Sequence, residues 1–205
     1  MMSFTKANSL KIITRYKKTL VPEFYYFEKN YFLKNKSRVI KKIKKRFDTD
    51  IIIRSSAVNE DSQKKSNAGF YDSHVIYKKN FHQIEVKIIK LIKKFKKNND
   101  QILVQKFIRD PQIAGVIFTK DKTSNSHYFD INYDSSGKSN LITSGKYNPT
   151  IKSLTIYKNS KNIPIKFKKL ISVTSNLEKI FKNDRLDIEF CIKNNRIYIL
   201  QCRPL

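Results

Sequence analysis

The spacing of apolar residues changes character near residue 97, and this change constrains the fold more than any other feature of the chain. Before it, apolar side chains recur every three or four residues, which is the period of an amphipathic helix. After it, short β-branched and aromatic runs are separated by Asn, Ser, Gly and Pro, as in strands joined by turns. A helix-rich first part and a strand-rich second part predict an α+β protein of two lobes.

The same patterns predict individual elements. Helices are expected over 4–16, 35–47 and 170–181, and a further long helix is expected to begin with Asn80 as its N-cap. An extended segment is expected over 21–27. Strands are expected at 51–53, 102–108, 115–119, 127–133, 153–157, 186–192 and 196–202.

The chain carries 43 Lys and Arg against 17 Asp and Glu, a net charge of +26. Such an excess is typical of proteins that bind nucleic acid or an anionic membrane. However, the excess is almost all lysine, whereas arginine is the usual choice for phosphate recognition. We therefore interpret the lysine runs as solvated helix faces, and we expect no nucleic-acid partner beyond non-specific attraction at low salt.

Two cysteines, Cys191 and Cys202, lack metal-ligand spacing and are too few for a disulfide framework. No apolar stretch approaches membrane-spanning length, and residues 1–10 have no signal-peptide character. We therefore expect a reduced, cytoplasmic setting without a membrane partner.

A first polar interruption follows the apolar run at Ile51–Ile53, where the strand delivers Arg54 and two serines and is followed by Glu60 and Asp61. A guanidinium and hydroxyl groups at the end of a buried strand suit an oxyanion. An ordinary strand end with a capping serine and a salt bridge explains the pattern equally well.

A second candidate is the segment 66–70, in which Gly69 stands beside small residues. Because the chain has only four glycines, Gly69 indicates backbone that another group approaches closely, although a plain turn explains it too. The chain contains no Walker-type glycine loop and no Rossmann fingerprint.

The third candidate is the terminal hairpin. Alternation puts Asp187 and Glu189 on one face of their strand, and Gln201 and Arg203 on one face of the next. A two-residue turn at Asn194–Asn195 would set Glu189 against Leu200. A three-residue loop over 194–196 would instead set Glu189 against Gln201 and Asp187 against Arg203, and we predict this loop, with Asn195 or a neighbour left-handed. Such a face suits Mg²⁺, although a surface polar face with one ion pair is the competing interpretation.

Together these segments resemble one family. The sequence over 53–57 with 60–62 and 66–69 is similar to the arginine-serine-serine, glutamate-aspartate and alanine-glycine signature of the ATP-binding domain of phosphoenolpyruvate synthase and pyruvate phosphate dikinase. Segments 104–108 and 114–119 resemble its inter-lobe segment and returning strand. Segments 187–190 and 200–204 resemble its ATP-site hairpin. Segment 6–10 resembles, with several departures, the lysine-containing motif at the start of that domain.

The resemblance implies an ATP-grasp fold, with nucleotide in a cleft between two α+β lobes at 1–104 and 105–205. It implies Lys6 and Arg54 on the phosphates, Glu60 at the nucleotide site and Gly69 in the loop over the phosphates. It places Gln105, Lys106 and Phe107 near the adenine. It implies that Glu189, Gln201 and Asp187 bind Mg²⁺. It places Arg203 beside them and gives both Arg203 and Arg54 a catalytic role.

The implied activity is that of a Mg-ATP-dependent phosphotransferase. The family's phosphohistidine domain and pyruvate-binding barrel are not represented in these 205 residues, and His74, His82 and His127 do not lie in its acceptor motif. We therefore expect the phosphoryl acceptor to be a histidine on a separate protein or a small substrate. The alternative is a non-catalytic, nucleotide-binding regulatory module.

Overall fold

The computed structural model describes residues 5–17, 20–57, 73–121, 126–136 and 150–205. The chain forms two compact units. Unit 1 comprises residues 1–8 and 22–108, and unit 2 comprises residues 9–21 and 109–205. The first helix, α1 (Lys6–Tyr16), contributes its first three residues to unit 1 and the remainder to unit 2.

Unit 1 contains a four-stranded antiparallel sheet of order β1-β4-β2-β3. Its strands are β1 (Phe24–Glu28), β2 (Ile51–Ser56), β3 (Ser73–Ile76) and β4 (Gln101–Lys106). Its helices are α2 (Lys29–Lys34), α3 (Lys36–Arg46), a 3₁₀ helix (Lys78–Gln83) and α4 (Ile84–Ile92).

The core of unit 1 lies between the sheet and these helices. The apolar stripe of α3 (Val39 and Ile43) packs in one cluster with that of α4 and with alternate residues of the strands. Those strand residues are Phe27, Ile51, Ile53, Ile76, Ile102 and Val104. Because side chains alternate along a strand, Phe24, Tyr26, Ile52, Arg54 and Gln105 belong to the opposite face of the sheet.

Unit 2 contains a five-stranded antiparallel sheet of order β7-β6-β5-β8-β9 and the long helix α5 (Ile165–Phe181). The strands are β5 (Ile113–Phe118), β6 (Tyr128–Asp134), β7 (Lys152–Tyr157), β8 (Leu186–Lys193) and β9 (Arg196–Pro204). Phe167 of α5 packs edge-on against Tyr133 of β6, with ring centroids 4.9 Å apart. Tyr133 and the residues in register with it therefore face α5.

Gly115 lies where neighbouring strands of this sheet approach each other closely. A Cβ at this position would lie 2.5 Å from the backbone oxygen of Asn132 and 3.0 Å from the ring of Phe190. Phe190 is fully buried and pairs with Gly115 across β5 and β8. The glycine therefore allows Phe190 to fill the space beside it, next to Glu189 in the chain.

The structure confirms the α+β class and most of the predicted elements, but it differs from the sequence expectations around Asn80. Asn80 does not cap a long helix: it lies inside the 3₁₀ helix with non-helical dihedral angles, and α4 begins only at Ile84. Helix α2 and strand β3 were not predicted, and β2 continues past Ile53 through Ser56. The strand expected over 102–108 ends at Lys106.

Candidate functional site

The hairpin of β8 and β9 has the register that the sequence predicts. Glu189 lies opposite Gln201, and Asp187 lies opposite Arg203. The predicted three-residue loop is wrong, however: Lys193 pairs with Arg196, so the turn is the two-residue Asn194–Asn195. Both asparagines are left-handed, with φ of 49° and 60°, the conformation of the tight turns that match strand twist.

A β-bulge supplies the one-residue shift in register that the predicted longer loop would have supplied. The register shifts between Glu189 and Phe190, where Phe190 pairs with Ile199 while Glu189 pairs with Gln201. Leu200 is therefore the extra residue. In a regular strand Gln201 would share a face with Ile197 and Ile199, but the bulge reverses this alternation and turns Gln201 to the face of Glu189.

On this face Asp187 and Arg203 form an ion pair. The Arg203 Nε and Nη2 donate to the same carboxylate oxygen, Oδ2 of Asp187, at 3.0 and 2.8 Å. Asp187 is only 7% exposed, and charge-assisted bonds of this kind are stronger than neutral ones. The pair fixes both side chains, so the geometry favours Asp187 as the residue that orients Arg203.

Gln201 has an acceptor that the fold leaves unsatisfied. Its side chain is 2% exposed, and its Oε1 has no hydrogen-bond partner within the described part of the chain. A buried acceptor without a partner costs stability, and a cation is one group that would satisfy it. An amide oxygen beside the carboxylate of Glu189 is a donor set that Mg²⁺ accepts, so the residues present fit this cation.

A cationic group lies at the end of β2 in unit 1. Arg54 is 9% exposed, and the Lys6 Nζ lies 3.4 Å from the backbone oxygen of the next residue, Ser55. The structure thus places the Lys6 side chain beside the strand end that carries Arg54, and these are the two cations that the resemblance assigns to phosphates. Burial of a guanidinium is tolerated only where partners compensate its charge, and Arg54 takes part in at least one interaction within the described structure.

Two hydroxyl side chains hold the first turn of α1: Ser56, one of the two serines at this strand end, and Thr5, which the sequence analysis did not single out. The Ala7 N–H donates to the Ser56 Oγ at 3.0 Å, and the Asn8 N–H donates to the Thr5 Oγ1 at 3.1 Å. The Thr5 hydroxyl in turn donates to Gln101. A threonine directly before a helical pattern is an N-cap signal, so Thr5 could have been found from the sequence.

The residues that the resemblance places near the adenine lie at the end of β4. Gln105 is 1% exposed, and its Nε2 has no partner among the described residues. The exposed Lys106 and the half-buried Phe107 follow, each donating its backbone N–H to a neighbouring segment. Of the predicted site residues, Glu60 and Gly69 lie outside the described residues.

Among the described residues there is neither a cluster of metal-ligating side chains nor a membrane-spanning helix. No group of three or more His, Cys, Asp or Glu side chains there could hold a metal ion by itself. None of the helices described is long and apolar enough to cross a membrane. A metal at the hairpin would therefore depend on amide and ligand oxygens as well as carboxylates.

Comparison with known proteins gave matches to solved structures only. No protein-family model matches the sequence, and no curated protein matches it. The structure is similar to D-alanyl-alanine synthetase A from Vibrio cholerae, with a TM-score of 0.56, 16% identity, and coverage of 98% of this chain and 55% of that one.

Two further solved structures match at similarly low identity and with similar coverage. VanG D-Ala:D-Ser ligase from Enterococcus faecalis matches with a TM-score of 0.55 and 12% identity, over 97% of this chain and 51% of that one. Macrocyclase MdnC from Microcystis aeruginosa matches with a TM-score of 0.52 and 13% identity, over 96% and 51%. The chain thus spans about half the length of these structures. At such identities the likeness concerns the fold, and the chain has the α+β fold of the ATP-grasp ligases.

Proposed function

We propose that the chain binds ATP as its magnesium complex and acts as a phosphotransferase. The observation that carries this proposal is the buried Oε1 of Gln201, which lacks a partner in the described structure and lies in register with Glu189. A cation held by Glu189 and Gln201 would satisfy that oxygen. Two protein ligands with phosphate oxygens completing the shell is the usual way in which proteins hold Mg²⁺.

The residues have distinct roles in this proposal. Glu189 and Gln201 hold the metal, which when bound offsets charge on the phosphate oxygens. Asp187 fixes the guanidinium of Arg203, which is directed to the reacting phosphoryl group. A carboxylate already accepting two bonds from Arg203 at one oxygen is a poorer metal ligand, so we assign Asp187 to positioning, with its other oxygen a secondary candidate for the metal.

Lys6 and Arg54 provide positive charge for the polyphosphate, near the first turn of α1. Helix N-termini carry partial positive charge and suit anions, which supports this placement. Glu60 and Gly69 retain their assigned roles at the nucleotide, as do Gln105, Lys106 and Phe107. We further propose that units 1 and 2 are the two lobes of the ATP-grasp fold.

The acceptor is proposed from the sequence resemblance rather than from the fold. The likeness of 53–69 and 187–204 to phosphoenolpyruvate synthase favours transfer to a histidine on a separate protein. A second candidate is an ATP-dependent ligase acting on a small substrate, because the matched structures are ligases. The third is a regulatory module that binds ATP without transfer.

Calorimetric titration with Mg-ATP tests the common part of these candidates. Binding at micromolar to millimolar nucleotide supports the proposal, and absence of binding at millimolar nucleotide overturns it. Incubation with γ-labelled ATP and cell extract then separates the candidates. A phosphotransferase to histidine gives an acid-labile label on a protein. A ligase releases labelled phosphate only when its substrate is present, and a regulatory module leaves the ATP intact.

A further inference from the structure

The face of the unit 2 sheet that carries Asp187 and Glu189 continues across β5 and β6. Phe118 of β5 pairs with Asp187 on one side and with Asp130 of β6 on the other. Directly paired residues share a face, so Asp130 lies on this face, two strand spacings or about 10 Å from Asp187. Helix α5 packs against the opposite face, which carries Tyr133.

Asp130 is a half-buried carboxylate that has no hydrogen bond and no ion pair within the described part of the chain. This is unexpected in a chain with 43 Lys and Arg against 17 Asp and Glu. By contrast, Asp187 and Asp184 are each paired with a cation. The neighbours of Asp130 on the same face of β6, Tyr128 and Asn132, are uncharged. The local field at Asp130 is therefore negative, because lysines farther away than about 8 Å are largely screened at physiological salt.

Two tyrosines lie beside this carboxylate. Tyr128 precedes Asp130 by two residues on β6, and Tyr157 of β7 pairs with Tyr128, so both share its face. Their ring centroids are 5.5 Å apart, and the two residues are 37% and 49% exposed. On the opposite face Lys158 lies over the ring of Phe129, but among the described residues no cation lies over Tyr128 or Tyr157. Their ring faces are therefore available to a ligand.

A carboxylate beside two aromatic rings favours one class of ligand. An organic ammonium group is attracted both by the negative charge and by the ring faces, and its alkyl groups pack against the rings. A hard metal ion needs several oxygen ligands, whereas this group of three residues has one carboxylate. An anion would be repelled by Asp130, and a neutral ring would leave its charge unused.

We propose that Asp130, Tyr128 and Tyr157 bind the organic ammonium group of a small molecule. None of these residues is assigned to ATP or magnesium, so the inference goes beyond the proposed function and does not depend on it. The site lies on the face of the sheet that carries Glu189. A compound held here and a nucleotide held at Glu189 would therefore lie on the same side of the sheet.

NMR titration of the chain labelled on its tyrosine rings tests this inference. The probe is choline, and the control ligand is the neutral alcohol in which a carbon atom replaces the choline nitrogen. At about 0.15 M salt we expect choline to shift the ring signals of Tyr128 and Tyr157 at millimolar concentration. The neutral alcohol should bind about five-fold more weakly or not at all, because it has the shape of choline without its charge.

Two variants with matched controls assign the contributions. Asp130→Asn should lower affinity for choline about ten-fold and change affinity for the neutral alcohol by less than about two-fold. Asp48→Asn removes the same charge from an exposed position of unit 1 and should bind choline as the wild type does. Tyr157→Leu should weaken choline binding about five-fold, whereas Tyr16→Leu, at a similarly exposed position of α1, should not.

The outcomes separate this inference from the proposed function. Absence of a shift at about 100 mM choline would overturn the site, and so would an unchanged affinity of Asp130→Asn. Equal binding of choline and the neutral alcohol would also overturn it, since the charge would then contribute nothing. A chain that binds choline but not Mg-ATP retains this site and loses the proposed function, and a chain that binds only Mg-ATP does the reverse.

Discussion

At the scale of single residues, two glutamines are among the buried side chains that have a polar atom without a hydrogen-bond partner in the described structure. Gln201 has a buried acceptor and Gln105 a buried donor, and neither atom has a partner there. Each such atom costs about 1 to 3 kcal/mol when it is left without a hydrogen bond. A protein that keeps both atoms buried gives up folding stability, and binding of a ligand that satisfies them would recover it.

Gln201→Met should have opposite effects on stability and on binding. Without ligand the variant should unfold at the same temperature or higher, because the unsatisfied oxygen is gone. The rise in melting temperature that saturating Mg-ATP gives the wild-type chain should be largely lost. Differential scanning fluorimetry with and without Mg-ATP measures both quantities, and a lower melting temperature without ligand would contradict the role assigned to Oε1.

Glu189→Gln should weaken Mg-ATP binding about ten-fold or more, because a neutral amide replaces the negatively charged ligand. Raising the Mg²⁺ concentration should recover part of the loss. Titration calorimetry over a series of Mg²⁺ concentrations measures this dependence. Glu85→Gln makes the same change on the exposed surface of α4 and should bind as the wild type does. Equal binding by both variants would remove Glu189 from the metal site.

Asp134 gives a prediction about acid stability. Burial by itself raises the pKa of its carboxyl, but hydrogen bonds from Ser136, Thr150 and the neighbouring backbone outweigh this effect and hold the pKa below its ordinary value. A pKa depressed in the folded state contributes stability above the unfolded pKa of about 3.9, and this contribution disappears as pH falls through the folded value.

The variant Asp134→Asn should therefore be less stable than the wild type at neutral pH, and the difference should shrink below about pH 4. Urea unfolding between about pH 7 and about pH 2.5 measures the free energy of unfolding of the variant and of the wild type as a function of pH. Asp130→Asn makes the same change on the same strand, outside this group of hydrogen bonds, and is the control. If the free energies of unfolding of Asp134→Asn and the wild type differ by a constant amount at all pH values, protonation of Asp134 is not linked to folding.

At the scale of elements, Gly115 joins three strands of unit 2. Because the nearest atom to a new Cβ would be backbone of β6, at 2.5 Å, the sheet itself would have to shift. Gly115→Ala should therefore destabilise the protein by about 1 to 3 kcal/mol and weaken Mg-ATP binding through displacement of Phe190 beside Glu189. Urea unfolding and calorimetry test this, with Ala114→Gly as a neighbouring control that removes a Cβ.

The hairpin shows how far sequence reasoning could go at this scale. Alternation within β8 correctly paired Asp187 with Arg203 and Glu189 with Gln201, because only an odd offset brings the polar sets together. The cause of this shift in register could not be deduced from the sequence, because a bulge at Leu200 and an extra loop residue give the same pairing. Asn80 was misassigned because a good capping residue also fits a 3₁₀ turn.

At the scale of the whole molecule, the sequence predicted the fold class and the ATP-grasp architecture, because the motifs occur in the right order across most of the chain. Short elements such as α2 and β3 escaped because six and four residues carry too little periodicity. The acceptor could not be derived, because the fold alone hosts several reactions.

The net charge of +26 predicts a property of the whole surface. Seven of the eleven residues of α3 are basic, but lysines are spread over both units, so we expect diffuse attraction to polyanions rather than a specific site. Affinity for a mixed-sequence RNA should fall steeply with salt and vanish near about 0.15 M. Fluorescence anisotropy over a salt series measures this, and binding that persists at that concentration would indicate a nucleic-acid partner.

The bulge at Leu200 also determines which changes in chain length this hairpin can accept. Removing Leu200 would leave Ile199 paired with Phe190 and Gln201 paired with Glu189, now in an unbroken ladder. Removing a residue between Gln201 and Arg203 would instead carry the guanidinium to the opposite side of the sheet. The strand thus holds one dispensable residue, and related chains could differ in length before Gln201 while keeping every polar side chain in place.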